Sequence, residues 1–201
     1  MRRAIWNALV IALAVTGCEK DRPRSQEPTR PAPEIYYPVP SFAMIDHRGQ
    51  PFTRDDLLGK ISIADFIFTR CDTTCPVITL RMRGVQEKTD PAVQLLSFSV
   101  DPAHDTPARL REYAARAGAD ESRWKFVTGD PAEMLDLVEE GFKVPMEPAP
   151  PAAIDGGAPQ MQHTEHFVLI DGDGLIRGYY HSSEKNRIAA LLADTRLLLG
   201  K

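Results

Sequence analysis

Ile61-Ser62-Ile63-Ala64-Asp65-Phe66-Ile67-Phe68 runs straight into Thr69-Arg70-Cys71-Asp72-Thr73-Thr74-Cys75-Pro76. The first eight residues have the length and apolar bias of a buried central strand. From Pro76 a helical pattern begins, with Ile78, Met82 and Val85 on one face. Cys71 and Cys75 are the only cysteines beyond the first 18 residues, and they fall where the strand gives way to the helix. Two thiols at that junction can form a disulfide, shuttle electrons or hold a soft metal.

The flanking sequence alternates strand and helix patterns. Upstream, Phe42 to Asp46 and Gln50 to Thr53 flank His47-Arg48-Gly49 as a hairpin. Downstream, Val93 to Val100 reads as a strand, and Pro107 opens a helix with Leu110, Tyr113, Ala114 and Ala117 on one face. Trp124 to Thr128 is a short strand, and Pro131 opens another helix. Lys143 to Gln160 is proline-rich loop. His166 to Ile170 and Leu175 to Tyr180 are strands joined by Asp171-Gly172-Asp173-Gly174, a hairpin signal. A last helix carries Ile188, Leu191, Leu192, Thr195, Leu198 and Leu199. The order is a β-hairpin followed by β-α-β-α-β-α-β-β-α, which predicts an α/β, thioredoxin-like fold with an N-terminal β-hairpin. That fold puts redox chemistry where the cysteine pair falls.

The start of the chain speaks to compartment. Met1-Arg2-Arg3 is a short basic region, and Ala4 to Val15 is apolar apart from Asn7. Val15-Thr16-Gly17-Cys18 resembles the bacterial lipobox, which predicts a signal peptide over residues 1–17 and acylation of Cys18. Residues 18–40 are proline-rich and charged, and read as a tether. Residues 41–201 then form one domain. The expected location is the periplasmic side of a bacterial membrane, lipid-anchored at Cys18. The 24 basic residues less Arg2 and Arg3, against 28 acidic ones, leave a net charge of −6. That balance argues against nucleic acid as a partner.

Cys75 is expected to cap the helix, where backbone N–H groups favour thiolate, with Arg70 and Arg81 adding positive potential. Redox pairs usually have two intervening residues, and here there are three. The wider spacing suits a cation between the sulfurs without forbidding a disulfide. Thiolates select Cu(I), with zinc as competitor, and a third ligand is needed. His47, His104 and His181 read as solvated polar residues. His163 and His166 precede the late hairpin and point to opposite faces if extended, so spacing alone does not choose between them.

Phe66-Ile67-Phe68-Thr69 before Cys71-x-x-x-Cys75-Pro76 is joined by further blocks. They are Ser99-Val100-Asp101-Pro102 with Asp105-Thr106-Pro107, Phe126-Val127-Thr128-Gly129-Asp130, and His163-Thr164 ahead of Leu169 to Gly174. Together these resemble the SCO/SenC copper chaperones involved in assembling cytochrome c oxidase. The resemblance covers about Ser41 to Gly200. It implies copper, as Cu(I) or Cu(II), bound by Cys71, Cys75 and His163. His163 precedes Thr164 and lies ten residues before Asp173, as the family's histidine does, and His166 does not match. The implied partners are the copper-site subunit of cytochrome c oxidase and a copper donor or thiol reductant. Family members also act in thiol–disulfide exchange.

Two departures stand out. Asp72 replaces a frequent family proline, and the loop before His163 is long and carries Met146 and Met161. Two classes of function follow: a tethered metallochaperone with accompanying thiol–disulfide reductase activity, or an enzyme, either a thioredoxin-like oxidoreductase or a peroxidase.

Overall fold

The apolar runs become the inner strands of one sheet. The computed structural model describes residues 31–144 and 165–201, and residues 32–201 form a compact unit of their own. The expected signal peptide, Cys18, Met146, Met161 and His163 lie outside the described residues. Seven strands are present among those described: β1 (Ala43–Asp46), β2 (Pro51–Thr53), β3 (Ser62–Ile67), β4 (Gln94–Ser99), β5 (Trp124–Thr128), β6 (His166–Ile170) and β7 (Ile176–His181). Their spatial order is β2-β1-β5-β4-β3-β6-β7. β3, β4 and β5 run parallel, and the outer pairings are antiparallel. Every residue of β3, β4 and β5 is buried, which is why these segments read as continuous apolar runs without alternation.

Among the described residues, four α-helices supply the covering layers: α1 (Thr74–Gln86), α2 (Pro107–Ala117), α3 (Pro131–Asp136) and α4 (Lys185–Leu198). Prolines at the starts of α2 and α3 occupy positions whose N–H would lack a helical partner anyway. The Thr106 hydroxyl caps α2 by accepting from Arg109 N–H, and the Asp130 carboxylate caps α3 by accepting from Ala132 and Glu133. A π-type turn over Leu137–Gly141 continues α3. No described helix is long and apolar enough to cross a membrane. This is the expected α/β, thioredoxin-like architecture.

Two faces of β3 sort the core. Phe66 packs with Phe98 and Phe142 (ring centres 6.0 and 5.2 Å apart), and Asp65, one residue away, points to the opposite side. On the neighbouring β4, Ser97 accepts the indole N–H of the fully buried Trp124 at 2.9 Å.

The fold starts earlier than Ser41. Tyr36 N–H donates to Ile176 O, Ile176 N–H to Tyr37 O, and Val39 N–H to Gly174 O, at 2.8–2.9 Å. Arg177 donates to the carbonyls of Pro33 and Glu34. Val39 is fully buried. The end of the expected tether therefore lies along the edge strand β7. It uses backbone donors and acceptors that proline content does not predict.

Candidate metal and thiol site

The motif helix starts two residues before Pro76. Thr74 is its first residue, and Thr73 stands at the cap position with no side-chain cap hydrogen bond. Cys75 is thus inside the first turn and is not the cap. Pro76 is accommodated because first-turn N–H groups have no helical acceptor. The role expected of Cys75 falls to Cys71, whose Sγ accepts the Cys75 N–H at 3.2 Å. Both thiols are buried and unpaired, at 8 % and 3 % exposure.

Their environments differ. Burial works against a Cys71 thiolate. The N–H of Cys75, its thiol, and the N–H and hydroxyl of Thr73 outweigh it and hold the Cys71 pKa below the usual thiol value. Burial dominates at Cys75 and pushes its pKa well up. A contact with the Phe68 backbone offsets only part of this, and the Cys71 sulfur and the Asp65 carboxyl add to it. Cys71 is the thiol poised to ionise, and Cys75 is held protonated behind it.

The loop carrying Cys71 is clamped by the aspartate-proline block. Asp105, fully buried, accepts from Thr69 N–H (3.0 Å), from the Thr69 hydroxyl and from the Ser99 hydroxyl (2.6 Å). Asp101 takes Arg70 in a 2.6 Å ion pair. Arg81 pairs with Glu165 at 2.8 Å and donates to Ser182 Oγ at 3.0 Å. The positive potential expected from Arg70 and Arg81 is therefore largely spent on carboxylates. These arginines order the surroundings of the thiols more than they charge them.

The histidines settle differently. His47 is fully buried, not solvated: its Nδ1 accepts from Phe126 N–H at 3.2 Å, and Glu121 lies 3.7 Å from Nε2. Burial drives its pKa down, against the pull of Asp46 and Glu121. His104 is half-buried against Arg109. His181 is half-buried, and its ring meets that of His166 at 5.0 Å. Ala64 pairs with Val168 across β3 and β6, so Val168 and His166 share the Phe66 side of the sheet. Asp65, the neighbour of Cys75, is on the other side. His166 thus faces away from the thiols.

The sequence reading gave Asp65, Asp101 and Asp105 no individual role, the last two entering only as part of the aspartate-proline block. Asp65 carried a signal, being a lone carboxylate inside an apolar strand. No group of three His, Cys, Asp or Glu side chains suited to a metal occurs among the described residues.

Comparison with known proteins supplies the context. A family model described as SCO1/SenC matches residues 33–198. A SCO1/SenC family lipoprotein from Bacillus anthracis str. Ames superposes with a TM-score of 0.71 at 30% identity, covering 81% of this chain and 95% of that one. BsSco, a member of the Sco family of cytochrome c oxidase assembly proteins in which a disulfide switch is identified, gives 0.71 at 29% identity, covering 83% and 95%. Bradyrhizobium japonicum ScoI with copper bound gives 0.64 at 26% identity, covering 77% and 96%.

Proposed function

The chain belongs to the SCO1/SenC family, and from that premise we propose that it is an extracytoplasmic copper-binding chaperone serving the copper site of cytochrome c oxidase. One observation carries the reading. Cys71 Sγ accepts the Cys75 N–H at the start of α1, so two soft donors lie side by side at a helix N-terminus. Their cargo is copper, held by Cys71, Cys75 and His163. Glu165 reaches Arg81 on α1, and in extended chain positions 163 and 165 share a side. That alternation favours His163 over His166 as the nitrogen donor. Copper bound in a related ScoI supports copper as the cargo. Anchoring through an acylated Cys18, after a signal peptide over 1–17, accords with a lipoprotein relative.

The test is copper stoichiometry on the reduced protein. With Cu(I), one ion per chain is expected for the wild type and none for Cys71→Ser or Cys75→Ser. His163→Ala should weaken Cu(II) more than Cu(I), since two thiolates suffice for Cu(I). Equal Cu(I) binding by the oxidised protein would refute the assignment.

The contrast between the thiols favours a second activity at the same site, thiol–disulfide exchange. The Cys71 thiolate attacks one sulfur of a partner disulfide, forming a mixed disulfide and releasing the other sulfur as thiolate. Cys75, on losing its proton, attacks Cys71 and expels the partner's second thiolate. The partner gains two electrons and the Cys71–Cys75 pair loses them. A copper-free reduced pair and a partner disulfide are both required, so copper loading should block the reaction.

A further inference from the structure

We infer that His166 and His181 form a second metal site: a cross-strand imidazole pair that binds a divalent transition-metal ion such as Cu(II), apart from the cysteines. The two residues are Cα partners across β6 and β7, so their side chains leave the sheet on the same face. Their ring centres are 5.0 Å apart with planes at 72°. Metal–nitrogen bonds of about 2.0 Å place the ring centres of two imidazoles on one ion about 5 Å apart. The ring centres therefore already stand at the separation that a shared ion requires.

The surroundings fit. β7 is an edge strand, and both histidines are half-buried, leaving room for water to complete the coordination. Ser183 Oγ lies 2.8 Å from His181 Nδ1. Ser183 N–H also donates to Nδ1 at 3.4 Å, so Nδ1 is taken up by the Ser183 turn and Nε2 is the nitrogen left to face an ion. Burial first, then His181 and Arg187, lowers the pKa of His166, against Glu165 and Glu184. The Arg187 guanidinium is itself engaged by other groups. It donates to Tyr179 O at 2.7 Å and lies over the Tyr180 ring, whose position alternates with that of His181. No third His, Cys, Asp or Glu joins the pair among the described residues. Two imidazoles plus water suit Cu(II), whereas the thiolate pair selects Cu(I). The two sites sit on opposite faces of the sheet and differ in donor chemistry.

The experiment titrates Cu(II) into the full chain carrying Cys71→Ser and Cys75→Ser, read by calorimetry and by nitrogen hyperfine splitting in electron paramagnetic resonance. One ion with two nitrogen donors is expected. His166→Ala and His181→Ala should each weaken it at least tenfold, while His104→Ala and His163→Ala leave it unchanged. Unchanged affinity in either of the first two variants, or an equal loss with His163→Ala, overturns the site. The wild-type chain gives a second readout that needs no substitution. Zn(II) should slow carbethoxylation of His166 and His181 at least fivefold by mass spectrometry, and no protection would leave the two rings as an aromatic packing contact only.

Discussion

Replacing Asp65 with asparagine measures what a carboxyl group costs in the middle of the sheet. Asp65 is fully buried, and neither carboxylate oxygen has a hydrogen-bond partner among the described residues. The Ser97 hydroxyl on the neighbouring strand accepts the Trp124 indole N–H and keeps its own proton to donate. Burial raises the Asp65 pKa from 3.8 to about 7, and the nearby Ser97 hydroxyl and the residue's own backbone restrain it only partly. The native state therefore holds this proton more tightly than the unfolded chain does. The resulting stability is complete below pH 3.8 and is lost as pH rises through about 7. A separation of about 3 pH units, at about 1.4 kcal/mol each, amounts to about 4 kcal/mol. An asparagine side chain cannot ionise, so Asp65→Asn should gain on the wild type by about 3 kcal/mol between about pH 4.5 and 8.5, or about 10 °C in Tm. Any unpaired amide proton adds an offset of about 1–3 kcal/mol that does not vary with pH. Urea unfolding of both reduced proteins at several pH values reads the difference. A gap that stays constant with pH would refute the reasoning.

Alkylation of the reduced protein at pH 7 should label Cys71 at least tenfold faster than Cys75 by peptide mass spectrometry, because their pKa values are displaced in opposite directions. Asp65→Asn should narrow that ratio by removing a carboxyl that raises the Cys75 pKa. His166→Ala should leave Cu(I) affinity at the cysteines within about twofold in a competition assay, since its ring lies on the other face of the sheet. Asp105→Ala orphans three donors, from Thr69 and Ser99. It should cost at least about 3 kcal/mol in urea unfolding. Truncation to residue 41 should destabilise the chain by about 2–4 kcal/mol relative to truncation to residue 33, because it removes Val39 and three backbone hydrogen bonds.

The chain's own chemistry determined the element order. Continuous apolar runs mark β3, β4 and β5 because these strands are covered on both faces. Prolines at 107 and 131 mark helix starts because a first-turn N–H has no acceptor to lose. The motif Cys71-x-x-x-Cys75-Pro76, with the aspartate-proline block, was enough to indicate the family. All of these signals are local, written in spacings of a few residues.

Tertiary structure decided burial and partnership, which depend on which strands meet and in what register. His47 sits in what reads as an exposed turn, yet β1 pairs with β5 and carries it beneath Phe126. Residues 33–40 look like tether because proline and charge dominate them, but β7 offers free edge groups that fix them. Arg70 and Arg81 promised charge for the thiols until Asp101 and Glu165, 31 and 84 residues away, neutralised them. Cys75 looked like a helix cap until the loop brought the Cys71 sulfur to its N–H. His166 and His181 are unrelated in sequence and become neighbours only through the register of β6 on β7. Spacing along a chain sets the face a side chain takes. What waits on that face is set by contacts that close long loops, and no local pattern encodes them.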